Sequence, residues 1–215
     1  MANLLDRRAL KSIFDTANEI RKADQRPVER QVTVYVARED REGAGKPPLL
    51  VTKAHNAIHT SAVAAFSGVV MHERLDGLVA TFADPFDAVK AGLHALHAID
   101  LMSDVLVLRG SHVAVGVGKA SVVERPFREI SGEAVERATK VISRAPLGSL
   151  VVEQSLLASL RPLRYGDIEV LEPRKGKLPG LGNVTTVTIR ALQLKQELGD
   201  ELEEVDAELR SRGRR

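Results

Sequence analysis

Few side chains in this 215-residue chain are of a type and spacing to do chemistry. There is no cysteine, which removes a thiolate nucleophile, a thiolate zinc site and a disulfide scaffold. His55 and His59 are four residues apart, so on a helix both rings would share a face and could meet one metal. The segment lacks the glutamate of a His-Glu-x-x-His site and offers no third ligand, so zinc is not expected. His94 and His97 fall on a predicted amphipathic helix and read as partly exposed. Glu136 and Lys140 are four apart in the order that favours a helix-surface ion pair. Asp76 stands before Gly77 between two apolar runs, where an aspartate reads first as a turn residue tolerant of the left-handed region. Alone it is at most one ligand for a cation. Gly116 and Gly118 open no helix and read as places of close backbone approach or a bulge within a strand. No Ser/His/Asp arrangement follows from spacing, since such triads are defined by geometry.

These residues need elements to place them. Apolar residues at helical spacing over 3–25 predict an amphipathic helix closed by Pro27. Gln31–Ala37 is β-branched and predicts a strand, 39–48 a loop, and Leu49–Phe66 a helix. The run from Phe66 to Phe82, broken by Asp76-Gly77, predicts a hairpin. Asp84-Pro85 predicts a helix start, followed by an apolar face at Phe86, Val89, Leu93, Leu96 and Ile99. His112–Lys119 and Ser121–Ile130 read as two strands, and Ser131 as the cap of a helix ended by Pro146-Leu-Gly148. A short strand at 150–152, a short helix at 154–160 and a last hairpin (167–171 with 184–189) follow. Residues 191–210 predict a charged helix with a heptad-like stripe. The order predicts an α+β fold, with helices over a mostly antiparallel sheet and extra helices at both ends.

Composition sets broad limits. The chain is 44% hydrophobic and 28% charged, ordinary for a soluble globular protein. Its 31 basic and 29 acidic residues nearly balance. With aromatics at 3%, the basic tail from Arg210 to Arg215 reads as a solvated end, and nucleic-acid binding is not expected. No apolar run approaches the roughly 20 residues of a membrane span, and the first residues form no apolar signal core, so a cytoplasmic location is expected.

Four pieces in the right order resemble the catalytic domain of class III adenylate/guanylate cyclases, over roughly residues 30–190. Gly68–Phe82 is similar to the family's Gly-x-x-x-Lys-x-x-Gly-Asp-Gly hairpin, with Ala88–Leu93 in the helix after it. Val115-Gly-Val-Gly118 stands where the family has Gly-Ile-His-Thr-Gly. Ser131–Lys140 stands where it has Gly-Asp-x-Val-Asn-x-Ala-x-Arg, and Leu178–Gly182 stands at its Lys-Gly turn. The resemblance implies a ferredoxin-like α+β core over residues 30–190; outside it, residues 1–27 read as an N-terminal helix and 191–215 as a C-terminal charged helix and basic tail.

It also implies a chemistry that these residues do not match. Cyclisation drives the ribose 3′-hydroxyl onto the α-phosphate, with two metals about 3.5–4 Å apart clamping the attacking and leaving oxygens. Of the family's two metal aspartates, one matches Asp76 and the other falls on Arg38, which cannot ligate a cation. The base-reading lysine falls on His72, its acidic or threonine partner on Glu129, the ribose asparagine on Glu136, and the transition-state arginine on Lys140. The last-turn phosphate lysine is replaced within Pro179–Gly182. A slip of the first strand could bring Glu39 or Asp40 to the metal position. Glu39 would lose the core alternation, and Asp40 would lengthen the strand. An Arg38–Asp76 ion pair in place of the metal is the simpler expectation.

The resemblance therefore implies a catalytically inactive cyclase-like domain of bacterial signalling or regulation. It would act as a homodimer, with the terminal helices available to a signalling partner and no cofactor. One alternative is a nucleotide or cyclic-nucleotide sensor without turnover, with His72 and Glu129 on a base and Lys140 on a phosphate. Another is an active purine nucleotidyl cyclase with atypical ligands, which would need Mg²⁺ or Mn²⁺.

Overall fold

A computed structural model describes residues 27–40, 49–74, 76–106, 110–123, 128–160 and 168–191, together with 11, 15 and 16. Apart from Lys11, Asp15 and Thr16, which are helical, and Pro27 and Ala191, the two expected terminal helices lie outside these residues.

The run Val32-Thr-Val-Tyr-Val-Ala37 alternates large side chains to opposite faces and forms the middle of β1 (Val28–Glu39). After it come α1 (Leu49–Ala65), β2 (Val69–Arg74), β3 (Gly77–Phe82) and α2 (Pro85–Leu106). Next are β4 (Ser111–Val123), β5 (Glu129–Ser131), α3 (Glu133–Val141) and β6 (Ser149–Glu153). The chain continues through β7 (Ile168–Val170), β8 (Arg174–Leu178) and β9 (Gly182–Ala191). Among the described residues the sheet has nine strands, ordered β2-β3-β1-β4-β6-β9-β7, with β5 on β4 and β8 on β9. All its pairs are antiparallel except β4 with β6, as the α+β expectation requires.

The alternation of β1 divides the core. Tyr35 and Ala37 pack with Leu78, Phe82, Val89 and Leu93 beneath α1 and α2. Val32, Val34 and Val36 pack on the other face with Ala134, Ala138 and Val141 of α3. That helix lies close because the sheet beneath it is bare. A Cβ at Gly116 would sit 3.1 Å from the Ala138 nitrogen, and one at Gly118 would sit 3.4 Å from the Ala134 Cα. The close approach expected of these glycines is thus present.

Asp84 caps α2 as expected, accepting from the Phe86 N–H at 2.8 Å. Other expectations need correction. His112–Lys119 and the start of the next run form one 13-residue strand, because burial of Ala120 and Val122 carries the alternation past Lys119. Ser131 belongs to β5, and Gly132 is the N-cap of α3, without a side-chain cap. The short helix over Gln154–Leu160 is 3₁₀. The last hairpin is a three-strand arrangement, since β8 also pairs with β9. Gly77 opens β3, where it pairs with both Arg38 and Arg74.

Candidate functional site

The end of β1 and the β2–β3 hairpin form a small cleft against α3. About 110 Å³ in volume, it is lined by Arg38, His72, Arg74, Asp76 and Gly77, with Val36, Val79, Ile130, Val135 and Thr139 among its other walls. The fold therefore gathers Arg38, His72 and Asp76 and adds Arg74. Arg74 follows His72 by two residues on β2, so the two share a face. That spacing was the available signal for it.

The two other expected positions on α3 lie differently. The helix turns Val135 and Thr139 to the cleft, while Glu136 and Lys140 pair along its surface at 3.5 Å, the helix-surface contact their spacing predicts. The Lys140 ammonium leans over the β8–β9 turn, where a Cβ at Gly180 would be 2.8 Å from Nζ. Glu129 is exposed on β5 opposite Val123. Within one chain, His72 lines the cleft while Glu129 and Lys140 do not.

Asp76 is the only carboxylate lining the cleft among the described residues. Glu39, next in sequence to Arg38, has the opposite orientation. It is 4% exposed, and its Oε2 accepts from Thr52 Oγ1 of α1 at 3.1 Å. Asp40 leans toward β4, with Oδ1 3.7 Å from His112 Nε2. Neither lines the cleft: strand alternation holds Arg38 toward it and Glu39 away, and Asp40, past the end of β1, lies beside His112 of β4. The expected Arg38–Asp76 ion pair is also absent. The turn is tied to β1 through the backbone instead, Glu39 N–H donating to the Asp76 carbonyl at 2.9 Å. Arg38 is exposed, and an exposed pair would gain only about 0–1 kcal/mol over hydration.

A buried polar network underlies the same strand ends. Asn56 Nδ2 donates to the Arg74 carbonyl at 2.8 Å and to Glu73 Oε1 at 3.3 Å. Its Oδ1 is therefore left to accept from His55 Nδ1 at 3.4 Å. Ser111 Oγ donates to the Arg38 carbonyl at 3.2 Å, so it accepts from His59 Nε2 at 2.9 Å. His59 Nδ1 then accepts from the Tyr35 hydroxyl at 2.6 Å. His55 and His59 meet at a tilt of 57° with ring centroids 4.7 Å apart, but both His59 nitrogens are occupied by hydrogen bonds. Among the described residues no group of three His, Asp or Glu could hold a metal. Burial holds His59 well below the usual imidazole range, and the neighbouring His55 pushes it the same way. Burial also lowers His55, against opposing effects of the Asn56 hydrogen bond and the Glu39 charge. Burial pushes the Tyr35 hydroxyl well above its ordinary value.

Across the sheet from α3, a larger groove of about 520 Å³ runs between α1 and α2, lined by five alanines with Ile58, Phe66 and Leu101 among its other walls. His94 and His97 also border it. His94 is exposed as expected, but His97 is buried, at 8% exposure, because its side of α2 turns inward beside Leu96. The groove holds no carboxylate or fixed cation, so the smaller cleft is the candidate site.

No protein-family model and no curated protein matches the chain. Solved structures do match it. The adenylate/guanylate cyclase/hydrolase from Silicibacter pomeroyi is 14% identical with a TM-score of 0.64, over 78% of this chain and 99% of that one. The guanylate cyclase domain of RhGC from Catenaria anguillulae, in complex with GTP, is 14% identical with a TM-score of 0.63, over 77% and 100%. The adenylyl cyclase CyaB from P. aeruginosa is 12% identical with a TM-score of 0.60, over 76% and 95%. The chain has the fold of class III adenylate/guanylate cyclase catalytic domains. No helix among the described residues is long and apolar enough to cross a membrane.

Proposed function

We propose that this chain is a catalytically inactive cyclase-like domain that works by binding, as a homodimeric signalling or regulatory module. One observation carries the reading. Where two-metal chemistry needs a second carboxylate, Arg38 lines the cleft and Glu39 is buried under α1, so among the described residues Asp76 stands alone. A metal drawn to Asp76 would also meet two guanidiniums, Arg38 and Arg74. Homodimerisation rests on the resemblance, in which such domains pair face to face with their sites in the groove between them. A cytoplasmic location accords with this reading, in which the terminal segments would serve to dock a signalling partner.

The test is purified protein with ATP or GTP, each with Mg²⁺ and with Mn²⁺, assayed for cyclic product, with the mass measured by light scattering. The expected result is no cyclic product and a mass of two chains. Metal-dependent product lost in Asp76→Ala would overturn the inactive reading in favour of an atypical cyclase. A monomer would overturn the dimer.

A second reading keeps nucleotide binding without turnover, with His72 and Glu129 on a base and Lys140 on a phosphate. The basic lining of the cleft favours it, as does the relative in complex with GTP. In this reading Glu129 and Lys140 act on a ligand in the neighbouring protomer's cleft, since they do not line their own. Thermal stabilisation by a nucleotide, reduced in His72→Ala and in Lys140→Ala, is the expected sign of it.

A further inference from the structure

We propose that the cleft between Arg38 and Arg74 is an anion site that takes a phosphate or diphosphate group without a divalent metal. Strand register provides the geometry. Arg38 on β1 and Arg74 on β2 are both paired with Gly77 of β3, one on each side. Register partners share a face of the sheet, and His72 joins them two residues from Arg74. Two strand spacings, about 9–10 Å, separate the arginine backbones. Gly77 places no side chain between them. The two long side chains thus border a gap with a backbone floor and a wall of Val79, Ile130 and Val135.

These charges are not neutralised among the described residues. Among the described residues no ion pair joins either guanidinium to Asp76 or to another carboxylate. Two like charges bordering one apolar-walled gap repel, and an anion between them relieves that repulsion. Guanidinium is suited to this because its planar fork binds two oxygens of one phosphate. Asp76 opposes the anion but is outnumbered by the two arginines. At about 110 Å³ the cleft is well below the roughly 300–1,000 Å³ of a site for a drug-sized molecule, which limits the bound part to phosphate groups. The proposal extends the non-catalytic reading by naming what the cleft holds.

The test is calorimetric titration of the full chain with pyrophosphate in EDTA at low ionic strength. Saturable binding is expected, weakened roughly tenfold or more by Arg38→Ala and by Arg74→Ala and tightened by Asp76→Asn. Both arginines are exposed, so these variants should fold, and matching thermal melts would verify it. No binding in EDTA, or equal binding by the alanine variants, would overturn the proposal. A parallel titration with ATP identifies the source. Equal affinity would point to free oligophosphate, and tighter binding to a nucleotide entering by its phosphates. Cyclic product from the same preparation would sink the non-catalytic reading while leaving the anion result intact. Failure of pyrophosphate to bind would do the reverse.

Discussion

The Tyr35 hydroxyl and His59 Nδ1 lie 2.6 Å apart at the start of a one-way hydrogen-bond chain. It runs from Tyr35 through His59 and Ser111 to the carbonyl of Arg38. Since a carbonyl can only accept, Ser111 donates to it and His59 Nε2–H donates to Ser111; burial favours the neutral ring, whose Nδ1 then accepts from Tyr35. A helix thereby holds the backbone of a residue whose side chain faces the cleft on the other side of the sheet. Tyr35→Phe would leave His59 Nδ1 buried and unsatisfied. It should lower stability by about 1–3 kcal/mol, read as a lower urea midpoint with unchanged slope. An unchanged midpoint would show that the chain contributes nothing to folding.

The same chain makes stability depend on pH. Burial lowers the folded-state values of His59 and His55 from the ordinary 6.5. As pH falls below about 6.5, the unfolded chain takes up protons that the folded chain refuses, so stability falls with it. The contribution is fully present above that value and declines toward the lower folded values. Between pH 7.5 and 5.5 the loss should be roughly 1 kcal/mol or more for a histidine that stays neutral. Urea unfolding at the two pH values should show it, and His59→Gln should reduce it. Equal losses in both proteins would assign the effect elsewhere.

Local signals in the sequence were sufficient for the hairpin, the Asp84 cap and the close approach at Gly116 and Gly118. The parts that were not legible depend on distant partners. Tyr35, His59 and Ser111 come from three separate elements, so no local pattern announces their contact. The charged run Arg174–Leu178 resembles a loop, yet it is an edge strand whose polar side chains face solvent. That His72 and Arg74 together face α3 depends on the irregularity between Val70 and His72, which shifts the alternation of β2 ahead of them. The burial of Glu39 could be argued from alternation, but its partner, Thr52, could not.

Two glycines should respond very differently to alanine. Gly77 has φ of 150°, and a Cβ there would fall on the Ala37 carbonyl oxygen of β1. The obstacle is the backbone of a paired strand, at the end of the β1–β3 ladder, so Gly77→Ala should destabilise by about 3 kcal/mol or more, or prevent folding. Gly148 has φ of 68°, with nothing within 4 Å of a built Cβ. Gly148→Ala meets only the left-handed penalty of roughly 1–2 kcal/mol. Thermal melts of the pair should preserve this order, and a reversal would contradict the register of β1 on β3.

Arg38→Asp tests the charge logic of the cleft most directly. The register pairs residue 38 with Gly77, adjacent to Asp76, so the substitution would place two carboxylates around one gap and remove a guanidinium from it. Hard divalent cations are bound by oxygen ligands of this kind. The variant should be stabilised by Mn²⁺, by about 1.4 kcal/mol at ten times its dissociation constant, while the parent shows no shift. It should also lose pyrophosphate binding in EDTA. Cyclase activity is not expected to return, because Glu136 and Lys140 still stand where the family resemblance requires asparagine and arginine. A manganese shift in the parent as large as in the variant would mean that Asp76 binds metal despite Arg38. The account of the cleft as anion-selective would then fail.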